Sequence, residues 1–201
     1  MRRRLLLAAP AILAAPAFLS GCGLAERPYV ERRQWPLAVR RPQALPSRRG
    51  APVLLVRTLR AGPGLEQRGL QSLQADGSMQ VAFYEEWLVP PAQGVEESLR
   101  RWLADSGLYS AVTAPGSRIE ADLVLEGELT ALWTVPATQQ GHVTIGVVVA
   151  RERGASTRVV LQRAVSAEAP MAGGGPREAV SAQTAALAEA FTQIEGALRG
   201  A

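Results

Sequence analysis

The sequence predicts an α+β fold: a mainly antiparallel sheet with two helices packed on one face, in the order β-β-β-α-β-β-β-α. Three patterns lead to it. Apolar residues alternate with mostly polar ones from Ile119 to Val135, the period of two that a half-buried strand requires. Val95, Leu99, Trp102 and Leu103 fall at i, i+4, i+7 and i+8, one stripe of a helix. Val180, Leu187, Phe191, Ile194 and Leu198 make a second such stripe near the C-terminus. Runs of strands each closed by a helix belong to the α+β class.

The elements follow in order from residue 51. Val53–Leu59 is a short β-rich apolar run, broken by Gly62-Pro63-Gly64. Leu70–Gln74 and Met79–Tyr84 flank Ala75-Asp76-Gly77-Ser78, and an Asp-Gly turn between two strand-like runs reads as a hairpin. Pro90 and Pro91 precede the first helix, Glu96 and Glu97 stand four residues before Arg100 and Arg101, and Gly107 is placed to end it. The alternating run Ile119–Val135 then reads as one long strand with a wet face, bent at Gly127. Val143–Val149 and Val159–Ala167 repeat the alternation around a turn at Arg151–Ser156. Gly173-Gly174-Gly175-Pro176 opens the final helix, whose Ala182, Ala185, Ala186 and Ala188 give high propensity and close approach to a sheet.

The first 50 residues are composed differently. Arg2–Arg4, an apolar stretch Leu5–Leu19 interrupted by Pro10 and Pro16, and Leu19-Ser20-Gly21-Cys22 have the three parts of a secretory signal. The apolar stretch is short for a spanning helix, which needs roughly 20 residues. The closing tetrapeptide resembles the bacterial lipobox, so residues 1–21 are expected to be removed and Cys22 to become the lipidated first residue. It is the only cysteine, which leaves no thiol for a disulfide in the mature chain. Residues 22–50 read as a tether: Pro28, Pro36, Pro42 and Pro46 break any period, and from residue 23 seven Arg stand against Glu26 and Glu31. Residues 51–201, the predicted domain, hold twelve Arg against sixteen acids. The sequence pI of about 10.2 therefore describes the front end, and a nucleic-acid reading of the domain has no support.

Catalytic chemistry finds little material. The chain has no lysine, which excludes a Walker A loop and a Schiff base. His142 is the only histidine, and with Cys22 lipidated it cannot assemble a zinc site of the usual ligands. No nucleophile-elbow motif accompanies it. Glu85 and Glu86 point to opposite faces if they lie on a strand, and Glu126 and Glu128 share a wet face where acids are ordinarily just solvated. No catalytic residue, metal or cofactor is predicted.

Phe83-Tyr84-Glu85-Glu86-Trp87, followed by a proline and an amphipathic helix, and then Ser106-Gly107-Leu108-Tyr109-Ser110-Ala111-Val112, resemble the ABC-type transport auxiliary lipoprotein family. These are the accessory lipoproteins of MCE-type lipid transport systems. The likeness runs over roughly residues 51–199 plus the lipoprotein signal. It departs where residues before 51 lack a clear first strand and where Leu88-Val89 follow Trp87 in place of more polar residues. The resemblance implies a non-enzymatic role beside an MCE-family periplasmic protein and, through it, an ABC permease and ATPase. It places Tyr84 and Trp87 as possible partner contacts, for which core packing is the alternative. Gly23, where an aspartate would signal inner-membrane retention, favours the periplasmic face of the outer membrane. Self-association into a homo-oligomer is a further expectation. An envelope-assembly lipoprotein and a lipid- or ligand-binding lipoprotein remain the other readings of the same chain.

Overall fold

The computed structural model describes residues 29–154 and 156–200 of the 201. The signal, Cys22 and the front of the expected tether lie outside the described residues. From Glu31 onward the chain forms one compact unit. Its strands are β1 (Arg33–Trp35), β2 (Val53–Val56), β3 (Arg60–Ala61), β4 (Gly69–Leu73), β5 (Met79–Trp87), β6 (Ala111–Thr113), β7 (Leu123–Val135), β8 (Gln140–Arg153) and β9 (Ser156–Pro170). Its helices are α1 (Pro91–Ala104), between β5 and β6, and α2 (Pro176–Arg199), after β9.

The expected α+β class holds, and β2, β4, β5, α1, β7, β8, β9 and α2 stand in the expected order. The long ladders β7–β8 and β8–β9 are antiparallel, as is the β4–β5 hairpin. Shorter parallel joins complete the sheet: β2 lies between β6 and β7, while β3 and β4 each pair with β7, and β1 pairs with β5. The two- and three-residue strands β1, β3 and β6 carry no readable alternation, and tertiary pairing alone makes them strands.

The core lies between the sheet and the helices. Val143, Ile145, Val147 and Val149 of β8 all point inward, and Val95, Leu99, Trp102 and Leu103 of α1 meet Leu187, Phe191 and Ile194 of α2 over them. Trp102 and Phe191 touch edge-on, ring centres 5.6 Å apart. A Cβ at Gly141 would stand 2.5 Å from the backbone carbon of Ala182, so the glycine is what lets α2 lie directly on β8.

Three expectations are corrected. The alternation of the long strand does not run through to Val135. Between Leu129 and Ala131 a bulge shifts the pairing with β8, so that Leu132 faces the core and Trp133 turns to the outer face. One inserted residue reverses the inward and outward sets, and the irregularity sits here and not at Gly127. The strand also begins at Leu123, leaving Ile119 exposed. On α1, Glu97 pairs with both Arg100 and Arg101, while Glu96 leaves the expected ladder and accepts the Leu59 N–H at 3.1 Å.

The third concerns the front end. After β1 the chain expected as tether is laid along α1, from Leu37 beside Gly94 to Pro46 beside Gly107. Leu37 and Val39 are buried. The Val39 N–H donates to Ser98 Oγ at 3.2 Å, and the Leu45 N–H donates to the Asp105 carbonyl at 2.9 Å. Gly107, at φ +72°, lies where the strap crosses: a Cβ there would come within 2.7 Å of the Pro46 carbonyl oxygen. Prolines keep this strap extended, so it has no helical or strand period, yet its alternate apolar side chains reach the core.

Candidate interaction surfaces

The Phe83–Trp87 segment has its residues divided between surface and interior. Trp87 is 1% exposed and belongs to the core, while Tyr84 is 43% exposed. Glu85 accepts the Trp35 indole N–H at 2.7 Å and pairs with Arg33. Glu86 accepts from the Gln34 amide at 2.9 Å and from Arg68 at 3.0 Å. The two adjacent carboxylates thus fasten β1 to the sheet from opposite faces, and neither is free for acid–base work. Before them, β5 bows out: Val81 lies opposite Gln71, but Glu86 lies opposite Gly69. Phe83 and Tyr84 stand on this bow, edge-to-face at 4.9 Å.

The outer face of β7–β9 carries the histidine. His142 stacks on Trp133 with ring centres 5.5 Å apart. Its Nδ1 lies 3.2 Å from a Glu168 carboxylate oxygen and its Nε2 3.2 Å from Thr144 Oγ1, which in turn meets Ser166. Both ring nitrogens are engaged, Nδ1 across to β9 and Nε2 within β8, an arrangement that orders a polar surface. Further along this face Gly146 and Ala164 floor an open depression of about 550 Å³, rimmed by the Arg57–Glu126 and Arg60–Glu128 ion pairs.

β9 pairs with β8 on one side only, along its whole length from Ser156 to Pro170. Among the described residues from Thr157 to Pro170, no other strand pairs with its other side, which is an open row of backbone donors and acceptors. No residue type marks such an edge, and sequence reasoning could point only to strand edges in general.

Glu195 is the buried ionic centre. Its carboxylate accepts from Trp102 Nε1 at 2.7 Å, from Arg41 Nε at 3.0 Å and from Arg199 at 2.5 Å. Burial pushes its carboxyl up, but the hydrogen bonds from Arg41, Arg199 and Trp102 outweigh that and hold it below the usual carboxylate range. Arg41 belongs to the strap, so this cluster ties the strap to α2. Burial also pushes the Tyr109 phenol up to about 12, which leaves it a neutral core side chain.

Among the described residues no helix is long and apolar enough to cross a membrane, and no three His, Cys, Asp or Glu side chains group as metal ligands would. A model of the family described as ABC-type transport auxiliary lipoprotein component matches residues 36–195. In fold the chain is similar to protein XCC0632 from Xanthomonas campestris, of family DUF330, at 20% identity and a TM-score of 0.66, covering 83% of this chain and 91% of that one. It is also similar to the hypothetical protein CT253 from Chlamydia trachomatis, at 11% identity and a TM-score of 0.54, covering 76% of this chain and all of that one. No curated protein matches the sequence.

Proposed function

The chain belongs to the ABC-type transport auxiliary lipoprotein component family, and from that membership we propose that it is the lipid-anchored periplasmic accessory of an MCE-type lipid transport system, acting through protein contacts without catalysis. Its partners are an MCE-family periplasmic protein and, through it, an ABC permease and ATPase. Its anchor is the lipid on Cys22, and its place is the periplasmic face of the outer membrane.

The open edge of β9 carries the reading. From Thr157 to Pro170 the edge of β9 turned away from β8 offers a template for a strand of another chain, a partner's or a second copy's. Three charged side chains lie along it, Arg158, Arg163 and Glu168, with four uncharged residues between each and the next. The ligand-carrier alternative needs a deep apolar pocket between sheet and helices. That space is filled by Leu54, Leu125, Leu129, Ile145, Leu187 and Phe191, all fully buried.

Two measurements test this. Cys22→Ser should abolish incorporation of radioactive palmitate and leave an unprocessed or soluble product. Label retained by the variant refutes the anchor. A soluble form for the second must start near Glu31 and not at residue 51, because the strap supplies Leu37 and Val39 to the core. In native mass spectrometry that form should self-associate or co-purify with the MCE protein of the neighbouring gene. The double substitution Ala164→Lys and Ser166→Lys, both exposed positions of β9, should weaken those contacts and leave the melting temperature unchanged. A strictly monomeric domain that ignores the MCE protein and captures free lipid would favour the carrier instead.

A further inference from the structure

From Glu31 onward the chain enters the domain beside its most exposed large apolar residue, Phe83. Arg33 opens β1 opposite Glu85, and the residue before it, Arg32, holds its guanidinium 4.5 Å from the centre of the Phe83 ring. Phe83 is 67% exposed, and Met79, Val81, Tyr84 and Leu88 are exposed with it. Of the ten large apolar side chains exposed among the described residues, five therefore fall in the short stretch Met79–Leu88. An exposed apolar cluster of this kind marks a surface that something covers.

Two features select what covers it. The first is the bow in β5: four residues, Ala82–Glu85, stand against the single residue Leu70. A bowed edge presents no regular row of N–H and C=O groups, which disfavours an added protein strand here. The second is the length of the tether. Cys22 is eleven residues before Arg33; a chain of that length spans at most about 40 Å. The domain is itself about 40 Å across. A tether that cannot reach beyond that width keeps near the bilayer the face at which the chain enters, and that face bears Phe83.

We infer that the Phe83–Tyr84 bow, with its neighbours Met79, Val81 and Leu88, is a membrane-resting surface that seats the domain on the headgroup layer of the bilayer holding the lipid on Cys22. The inference rests on the lipidation of that cysteine. Tyr84 presents an apolar ring and a polar tip, the combination that settles at a membrane–water interface. Arg32 brings a guanidinium to the depth of the phosphates while its cation stays against the Phe83 ring. The accessory is then held in one orientation.

The test uses the full-length lipidated protein in vesicles of phosphatidylethanolamine and phosphatidylglycerol. Because Cys22 is the only cysteine and carries the lipid, Phe83→Cys provides the single free thiol for an environment-sensitive fluorophore, and Ile119→Cys, also exposed, provides the control. A headgroup-spin-labelled lipid should quench the label at position 83 severalfold more than the label at 119. Emission at 83 should shift to the blue only when vesicles are present. Equal quenching at the two sites, on protein whose mass shows the lipid, overturns the inference and leaves the anchor standing. Protein purified from the envelope without a lipid overturns both. A concentration-dependent blue shift in detergent without vesicles means a second copy covers the patch, and that too overturns it.

Discussion

Trp102→Ala is expected to cost about 3–5 kcal/mol of stability, the range for deleting a buried tryptophan from a core. For a chain of this length that lowers the melting temperature by on the order of 10 °C. The indole is 3% exposed, packs edge-on against Phe191 and donates its N–H to Glu195 at 2.7 Å. Truncation therefore opens a void between α1 and α2 and takes a donor from a buried carboxylate. The two losses separate with Trp102→Phe, which keeps the aromatic contact and removes only the donor. That variant should cost about 1–3 kcal/mol. Thermal unfolding followed by circular dichroism measures both, and an unchanged curve for Trp102→Ala would contradict the packing of α1 on α2.

Glu195→Gln is expected to cost about 3 kcal/mol, because it leaves Arg41 and Arg199 side by side without the charge between them. Arg41 and Glu195 are both largely buried, so solvent screens little of the loss. The strap should loosen selectively, and hydrogen exchange at residues 37–48 should rise before exchange in β8 does. Acid sensitivity gives an independent check. The folded-state pKa of Glu195 lies below its ordinary value of 4.5. Its contribution to stability is thus complete above that value and is lost as pH falls through the folded pKa. The gap between wild type and Glu195→Gln should accordingly be widest near neutrality and close on acidification below about pH 4. A gap that widens toward low pH would reverse the assigned sign. Combined with Trp102→Ala, the effects should add to less than their sum, since the two residues share one hydrogen bond.

These two residues were unequally visible in the sequence. Trp102 lies on a helical stripe with Val95, Leu99 and Leu103, and its burial follows from that spacing alone. Glu195 interrupts no pattern. It sits beside Ile194 on α2 and reads as one more solvated acid, until Arg41 arrives from 154 positions away. Its partner Arg41 reads as part of a tether, because prolines and paired arginines hide the two apolar residues, Leu37 and Val39, that carry the strap into the core. Tyr84 and Trp87 show the same division within one motif: the family resemblance offers both as partner contacts, and the folded chain leaves Tyr84 outside on the bow in β5 while the core takes Trp87.

The sequence by itself determined the α+β class, the order of the long elements, the faces that α1, α2 and β8 bury, and the expectation of a lipid on Cys22. Each of these is written in a local period or a contiguous motif, which needs no knowledge of the partner. Only the tertiary structure decided the short parallel strands β1, β3 and β6, the phase of β7 beyond Leu129, the strap along α1, the ionic centre at Glu195 and the open edge of β9. In every one of these cases the deciding energy comes from groups far apart in the chain. A three-residue strand gains its hydrogen bonds from whichever edge it meets, a single bulged residue reverses every side chain after it, and a carboxylate becomes buried only when the folded chain brings it two guanidiniums and an indole.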